Sequence, residues 1–289
     1  FVHSILCHST LPLMLLYNGQ LLPESGFALP LPNRGLFFND GFFETMVWAA
    51  GALRHASHHA ARMQQAAAAL GLELPTGLAS AESLVTTLRQ LLPANQQPTT
   101  NNSYRLRLQL WRDGGGLYAP ETLAVNWLAT VRTFQANDSV IFTAGFAETV
   151  RTHLSPVSFC KGPNSLTYVL AARERQQREL DELLLLDAAG HVAESVAAAV
   201  FWISEGQLFT PRLATGCVAG VRRAHLLQVA RQHGIMTHEV LAGPAELTAA
   251  EAVFTANVAG IRGVRQLGPV VLEPEHALLT QLRHWEAES

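Results

Sequence analysis

Residues 160–166 read Cys160-Lys161-Gly162-Pro163-Asn164-Ser165-Leu166, and this stretch holds the only lysine among the 289 residues. The other 19 of the chain's 20 basic residues are arginines. An arginine keeps its proton at ordinary pH, whereas a lysine amine can lose one, attack a carbonyl carbon and form a Schiff base. A lysine retained where arginine serves everywhere else indicates a chemical role for Lys161. A surface lysine that survived by chance accounts for the count equally well.

The composition around this lysine is that of a globular protein. Hydrophobic residues make up 48% of the chain and charged residues 15%, and the length suits one large or two modest domains. The net charge of −3 excludes the basic surface that nucleic acid requires, and no apolar stretch approaches the roughly 20 residues of a membrane helix. Three cysteines, Cys7, Cys160 and Cys217, are too few for a disulfide framework, which favours a reducing compartment and a cytoplasmic location.

The fold is expected to begin at Met14. Residues 1–13 do not resemble the start of a domain and are expected to be an extension outside the fold, with a truncated signal peptide as the alternative. Residues 14–133 are predicted to form a smaller α/β domain. Its predicted elements are strands at 14–17, 42–49, 104–111 and 123–131, a helix at 57–70 capped by Ser57, a helix at 81–91, and a surface loop at 92–102.

A short polar linker is expected at residues 134–139, followed by a larger α/β domain over residues 140–289. Its predicted strands are at 140–144, 183–186, 192–194, 200–203, 208–209, 235–240 and 252–255. Its predicted helices are at 165–179, 221–233, 246–248 and 276–286. Lys161 is expected on a loop before the first of these helices.

A Schiff-base lysine is useful next to pyridoxal phosphate, whose binding needs two further parts. A carboxylate must keep the pyridine nitrogen protonated, and Glu194 ends a predicted hairpin strand. Backbone amides and an arginine must hold the phosphate. Gly220-Val221 begins a predicted helix whose dipole favours an anion, and Arg62 is one of few charges on an alanine-rich helix. Taken singly, each is more commonly a capping glutamate, an ordinary helix start or a surface arginine.

Several motifs occur together in the order and spacing of one enzyme group. They are Asn39-Asp40-Gly41-Phe42-Phe43-Glu44-Thr45, Ala61-Arg62-Met63, Lys161-Gly162-Pro163-Asn164-Ser165-Leu166, the segment from Asp181 through Glu194 to Trp202, Phe209-Thr210-Pro211 and Gly220-Val221-Arg222-Arg223. From residue 14 to residue 268 the chain resembles the fold-type IV pyridoxal phosphate enzymes. That group contains branched-chain aminotransferases, D-amino acid aminotransferases and aminodeoxychorismate lyases.

The resemblance implies a two-domain α/β fold, pyridoxal phosphate in the cleft between the domains, and a homodimer as the working unit. It implies that Lys161 forms the Schiff base and moves a proton, and that Glu194 binds the pyridine nitrogen. The residues implied to hold the phosphate are Arg62, the amides of Val221 and Arg222, and Asn257.

Within this group the sequence leaves two reactions open. Asn257 resembles the lyase version of its motif more than the Gly-Thr of transaminases. However, Leu117 replaces an arginine that lyases tend to carry, and a substrate with two carboxylates would need that cation because a buried unpaired carboxylate is costly. Ala199 also departs from the group, because an asparagine usually follows the glutamate loop there.

Arginines on one predicted strand are the expected substrate ligands. Arg107 lies near the place where transaminases hold the substrate carboxylate, with Arg105 and Arg112 as competitors, and a single guanidinium can hold one carboxylate bidentately. The aromatic pair Phe42 and Phe43 is expected on the substrate side. One arginine for one substrate carboxylate, together with aromatic side chains nearby, favours an aminotransferase for an apolar or small amino acid. The alternative is a 4-amino-4-deoxychorismate lyase that releases pyruvate and 4-aminobenzoate.

Other patterns favour simpler interpretations. His55, His58 and His59 lack a cysteine or carboxylate at ligand spacing, so they predict a solvated helix end rather than a metal site. Cys160 is expected to be a packing residue, and Gly114-Gly115-Gly116 a flexible turn near the substrate. A non-catalytic relative and a dinucleotide-binding oxidoreductase remain as alternatives. The retained lysine argues against the first, and the missing Gly-x-Gly-x-x-Gly turn against the second.

Overall fold

The computed structural model of the protein describes residues 13–93 and 103–288, which form three β-sheets flanked by helices. All but the last residue of the predicted extension at 1–13, and most of the predicted loop at 92–102, lie outside the described residues, as does Cys7. Within the described part, the helices are all too short or too polar to cross a lipid bilayer.

The first sheet comes entirely from the first half of the chain. Its strands are β1 (Met14–Tyr17), β2 (Gln20–Pro23), β3 (Gly41–Ala49), β4 (Ala52–Leu53), β5 (Ser103–Arg112) and β6 (Val125–Phe134). They lie in the order β2-β1-β6-β5-β3-β4 with antiparallel neighbours. Side chains alternate between the two faces of a strand, so Leu106 and Leu108 of β5 are buried while Arg105 and Arg107 are exposed on the other face.

Helices cover the apolar face of this sheet. They are α2 (Ala56–Leu70) and α3 (Ala81–Arg89), whereas the short helix α1 (Arg34–Phe38) packs against Trp111 of β5. Met63 of α2 and Leu84 and Leu88 of α3 are fully buried and share one core with Leu106 and Leu108. The core of the first half therefore lies on the face of β5 opposite to its arginines.

The start of α2 differs from the prediction. Its N-cap is His55, which has a left-handed backbone with φ 55°, and not Ser57. The chain turns sharply between β4 and α2. The left-handed backbone of His55 makes this turn, so the helix begins before Ser57. The other end agrees with the prediction, because Gly71 is the left-handed C-cap with φ 61°.

The second half forms two five-stranded sheets. Their strands are β7 (Ala144–Thr152), β8 (Glu182–Asp187), β9 (Val192–Ser195), β10 (Ala199–Ser204), β11 (Gln207–Pro211), β12 (Thr237–Val240), β13 (Ala252–Asn257), β14 (Gly260–Val264), β15 (Gln266–Leu267) and β16 (Val270–Val271). One sheet has the order β12-β11-β10-β13-β14 and the other β16-β15-β7-β8-β9. The rings of Phe201 and Phe254 stack in the core of the first of these, with centroids 5.1 Å apart.

Four helices pack on these two sheets. They are α4 (Ser165–Gln177), α5 (Val221–Gln232), α6 (Pro244–Thr248) and α7 (Ala277–Glu288). Leu226 of α5 and Leu279 of α7 are fully buried in the same core as Phe201. Helices α5 and α7 therefore lie side by side on one sheet.

The stretch before Lys161 differs most from the prediction. The strand expected at 140–144 is a single bridge at Ile141, and β7 occupies residues that were interpreted as a loop. Strand β7 pairs with the distant β8, and its register shifts between Phe146 and Arg151, which breaks the alternation that marks a strand in sequence. Strand β6 also continues through Phe134, the first residue of the predicted linker. The short elements α1, β2, β14, β15 and β16 were not predicted from the sequence.

Candidate active site

A cavity of about 530 Å³ lies between the exposed face of the first sheet and the second half of the chain. Its volume is in the range of small-molecule sites. All eight residues predicted for the site line it: Phe43, Arg62, Arg107, Lys161, Glu194, Val221, Arg222 and Asn257. Folding thus gathers residues that are separated by up to 214 positions in the sequence.

The loop that carries Lys161 is held against β3. The backbone N–H of Phe43 donates to the carbonyl of Lys161 at 2.9 Å, and the side-chain amide of Asn39 donates to the carbonyl of Gly162 at 2.7 Å. Gly162 has φ +134°, and a Cβ there would lie 2.9 Å from the Cα of Phe42. Only glycine allows this close approach, which fixes where the lysine enters the cavity.

The surroundings of Lys161 make its amine easy to deprotonate. Burial, and then the Arg62 guanidinium, lower the pKa of Lys161 to about 8. The carboxylates of Glu44 and Glu194 act in the opposite direction and are outweighed. A neutral lysine amine is a nucleophile and a base, so the cavity contains a group suited to carbonyl and proton-transfer chemistry.

Glu194 on β9 forms the second titratable group of the cavity. Its Oε1 accepts hydrogen bonds from the Tyr168 hydroxyl at 2.7 Å and the Val218 backbone N–H at 3.1 Å. Burial nevertheless raises its pKa to about 7. A carboxyl group with this pKa exchanges its proton readily near neutral pH. Tyr168 was not predicted from the sequence, although it lies on α4 seven residues after Lys161 and thus follows the lysine motif closely.

Arg62 is part of a buried ion cluster that the sequence did not indicate. Its guanidinium forms a bidentate pair with Glu44 of β3, with an Nε–Oε1 distance of 2.8 Å, and His59 contacts the same carboxylate at 2.7 Å. Burial alone would raise the pKa of Glu44, but Arg62 and His59 lower it to about 2. The expectation of a solvated histidine cluster is therefore wrong for His59, which is 3% exposed. Glu44 was visible only as part of a family motif.

The N-terminus of α5 forms the opposite wall. Gly220 is the N-cap, and the first-turn amides of any helix have no partner within the helix, so they are available to an anion. The Nη1 of Arg62 donates to the carbonyl of Ala219 at 2.9 Å, and the N–H of Ala219 donates to the carbonyl of Phe159 at 2.9 Å. These bonds place the helix start beside both Arg62 and the lysine loop.

Asn257 and Arg222 line the cavity while they also hold local structure. The Asn257 side chain accepts from the Ala259 N–H at 2.8 Å and donates to the Ala197 carbonyl at 3.1 Å. Arg222 donates to the Asn257 carbonyl at 2.8 Å and pairs with Glu286 at 2.8 Å. The Asn257 side chain therefore shapes the turn after β13, and the backbone of Arg222 belongs to the first turn of α5.

Two arginines face the cavity from β5. The guanidinium of Arg107 lies 3.5 Å from the centroid of the Phe43 ring, and Arg105 lines the cavity on the same strand face. Although Arg107 keeps contact with solvent, its partial burial in the cavity, followed by repulsion from Arg105, lowers its pKa. A pair of neighbouring cations in a cavity favours an anionic ligand.

Three residues expected near the substrate lie elsewhere. Phe42 is 1% exposed in the core, because it precedes Phe43 on the strand and points to the other face. Arg112 is buried and pairs with Asp40 at 2.9 Å. Leu117 is 79% exposed, and neither it nor the turn Gly114-Gly115-Gly116 lines this cavity, so the expectation of a turn near the substrate is wrong for the cavity of this chain.

A family model described as amino-transferase class IV matches residues 41–267, which include the lysine loop, β9 and the start of α5. The chain belongs to the class IV aminotransferase family. A D-alanine aminotransferase of Bacillus licheniformis is 26% identical over 248 residues, which are 83% of each chain. An aminodeoxychorismate lyase of Bacillus subtilis (strain 168) is 26% identical over 247 residues, 85% of this chain and 81% of that one.

A solved structure shows the same fold. The branched-chain aminotransferase from Thermoproteus uzoniensis, determined with norvaline, matches this enzyme with a TM-score of 0.84 over 96% of this chain and 94% of that chain, at 22% identity. The predictions of an α/β fold and of an enzyme of the fold-type IV group are confirmed. Since the relatives include transaminases and a lyase, family membership does not choose the reaction.

The cofactor of this family is pyridoxal phosphate, and the residues of the cavity fit it. The cavity offers a deprotonatable amine at Lys161, a carboxyl group at Glu194, and first-turn amides beside a guanidinium at Arg62. These are the groups that pyridoxal phosphate needs for its aldehyde, its ring nitrogen and its phosphate.

Proposed function

We propose that the enzyme is an aminotransferase that moves an amino group between an amino acid and a 2-oxo acid. The observation that carries this proposal is the combination of two arginines, Arg105 and Arg107, with apolar side chains on one cavity wall. Phe43 and Val47 of β3 and Phe134 of β6 supply the apolar part. A transaminase accepts two different substrates in turn, and a wall of this kind can hold both an apolar side chain and a second carboxylate.

In the proposed mechanism, pyridoxal phosphate, once bound, acts as an electron sink for the electrons released at the substrate Cα. Lys161 would hold the cofactor, and its amine would accept the proton that leaves the substrate Cα. Its lowered pKa supports this role, because the amine can be neutral and basic near pH 8. Glu194 would keep the ring nitrogen protonated, and Tyr168 orients the Glu194 carboxylate.

The phosphate contacts are the second part of the proposal. Arg62 and the amides of Val221 and Arg222 would hold the phosphate, and Asn257 would support that wall through its turn. Glu44 orients the Arg62 guanidinium through its bidentate pair. Because Arg62 also contacts the Ala219 carbonyl, it joins the first sheet to the helix that receives the phosphate.

Arg105→Gln tests the substrate assignment. A charged hydrogen bond is worth about 1.5–3 kcal/mol, so KM for 2-oxoglutarate should rise about 10-fold or more while KM for an apolar amino donor changes little. Arg89→Gln, an exposed residue of α3 outside the cavity, is the matched control and should change neither. Equal changes in Arg105→Gln and Arg89→Gln would contradict the assignment.

A 4-amino-4-deoxychorismate lyase remains the second candidate, because two carboxylates of one substrate would also suit Arg105 and Arg107. Because Leu117 is exposed and lies outside the cavity, the missing arginine at that position does not count against a lyase within one subunit. The deciding assay offers the enzyme a panel of amino acids with 2-oxoglutarate, and separately 4-amino-4-deoxychorismate. Oxo acids in the first reaction support the aminotransferase. Pyruvate and 4-aminobenzoate in the second, with no exchange in the first, would reverse the choice.

We also propose that the enzyme acts as a homodimer in the cytoplasm. Exposed apolar side chains of α1 lie beside Tyr118, which follows the turn Gly114-Gly115-Gly116. The rings of Phe38 and Tyr118 are 5.8 Å apart, Tyr118 is 91% exposed, and Leu36 of α1 is 72% exposed. Such a patch favours contact with a second copy. The buried free thiols of Cys160 and Cys217 support a reducing compartment.

A further inference from the structure

A second group of ligand-type side chains lies beside the cavity, where three helices meet. His55 is the N-cap of α2, His225 lies on α5 and Glu286 lies on α7. One ring nitrogen from each histidine and one carboxylate oxygen all lie within 4.8 Å of one another. The sequence did not predict a metal at His55, because no cysteine or carboxylate lies at ligand spacing from it. The tertiary structure brings one there.

The two oxygens of Glu286 have different neighbours. Arg222 and Arg54 both contact Oε2, at 2.8 and 3.4 Å, whereas Oε1 faces the Nε2 of His55 at 3.3 Å. Ligating carboxylates in proteins are themselves hydrogen-bonded by neighbouring groups, and the two guanidiniums supply such bonds. The carboxylate can thus keep its arginine contacts on one oxygen and bind a cation with the other.

The separation of His55 and Glu286 matches the dimensions of a zinc site. Zinc bonds to nitrogen and oxygen are about 2.0–2.1 Å long, so two ligands of a tetrahedron stand about 3.3 Å apart. The ring centroids of His55 and His225 are 4.2 Å apart with a tilt of 42°. His225 is 9% exposed and Glu286 3%, so the group is shielded from bulk water.

We propose that His55, His225 and Glu286 bind one zinc ion with a fourth position open toward the cavity. Two imidazole nitrogens and one carboxylate oxygen suit zinc. Of the three ligands His55 lines the cavity, so the open position would face that side. With only three protein ligands, and with two guanidiniums repelling a dication, this site binds zinc more weakly than a four-ligand structural site.

The ion would join the two halves of the chain. Helix α2 belongs to the first half and helices α5 and α7 to the second, and His225 lies one turn after Arg222 on α5. A zinc ion there would brace the end of the cavity at which α5 begins. This role is independent of the reaction that the enzyme catalyses.

Zinc content of the holoenzyme, measured by mass spectrometry after equilibration with zinc and removal of the excess, tests the proposal. The wild type should retain one zinc ion per chain. His55→Asn should retain none, and asparagine suits the position because it tolerates the left-handed backbone and is a favourable N-cap. His284→Asn, an exposed histidine on the same helix as Glu286, is the control and should match the wild type.

Two further measurements separate loss of the ligand from loss of the fold. Cobalt(II) should give the wild type the visible absorption of a low-coordinate site and should give His55→Asn none. Zinc should raise the thermal midpoint of the wild type but not that of His55→Asn. His225→Gln is measured in parallel, and circular dichroism verifies that both variants are folded. A wild type without zinc, or a folded variant with the zinc content of the wild type, would overturn the proposal.

Discussion

At the residue scale, the reactivity of Lys161 comes from its neighbours. Burial and Arg62 lower its pKa to about 8. At pH 7 a free lysine is neutral in fewer than about one molecule in a thousand, whereas a pKa near 8 makes about one in ten neutral. The site therefore supplies a reactive amine at a pH where an exposed lysine would be almost entirely protonated.

This difference predicts how cofactor capture depends on pH. Covalent capture needs the neutral amine, so its rate in the apoenzyme should rise about tenfold between pH 6 and pH 7 and level off above about pH 8. The measurement is the amount of pyridoxal phosphate that survives denaturation after borohydride reduction. Nα-acetyl-lysine is the control, and its capture should keep rising to about pH 10. An enzyme whose rate still rises at pH 10 would show that Lys161 titrates as an ordinary lysine.

At the scale of elements, the contact between the lysine loop and β3 positions the reactive amine. The Phe43 N–H and the Asn39 side chain bind carbonyls of the loop, and Gly162 packs on the backbone of Phe42. Asn39 can do this because it is the left-handed C-cap of α1, with φ 54°. The short helix α1, which the sequence did not predict, thus supports the predicted loop that carries Lys161.

Gly162→Ala tests this contact. Its Cβ would lie 2.9 Å from the Cα of Phe42 and 3.1 Å from the carbonyl oxygen of Gly41, so β3 or the loop must move. Overpacking of this kind costs about 1–3 kcal/mol, and the displaced Lys161 should also capture less cofactor. Unfolding in urea and cofactor retention measure the two effects.

Gly190→Ala is the matched control. Gly190 also has a positive φ, +88°, but a Cβ there would have no neighbour within 4 Å. Both variants therefore carry backbone strain, and only Gly162→Ala carries the steric contact. Equal losses of stability in the two variants would mean that the approach to β3 does not matter.

At the scale of the whole molecule, the cavity depends on how the two halves meet. The first sheet ends before residue 135 and the other two sheets begin at residue 144, and we propose that residues 14–133 and 140–289 are separate domains. Arg62 reaches from the first half to Ala219, and Arg54 and His55 reach to Glu286. These charged contacts set the width of the cavity between the halves.

The proposed dimer makes a prediction at the same scale. Sedimentation at micromolar concentration should give twice the mass of the chain. Tyr118→Asp places a charge in the apolar patch and should shift the mass toward that of one chain. Phe142→Asp, which changes an exposed aromatic residue outside the patch, should leave the dimer intact. A wild type that sediments as a monomer, or equal effects of both variants, would contradict the proposed interface.

The sequence by itself predicted the chemistry of the site and most of the regular elements. A single lysine in an arginine-rich chain, a glutamate at a strand end and a glycine at a helix start are local signals, because each reflects what one residue or one turn can do. Lys161, Glu194 and Gly220 were found in this way, and all three line the cavity. Long periodic segments such as α2, α5 and β5 were predicted for the same reason, with errors of at most one residue at their ends.

Only the tertiary structure decided what depends on distant pairing. Strand β7 is defined by its partner β8 and carries a register shift, so no local pattern marked it. The alternation of side chains along a strand placed Phe43 in the cavity and Phe42 in the core, and it placed Arg105 on the same cavity wall as Arg107. Glu44 beside Arg62, and Glu286 beside His55, meet across sheets and helices. Such contacts between charged side chains depend on the packing of whole elements, which the order of residues along the chain does not reveal.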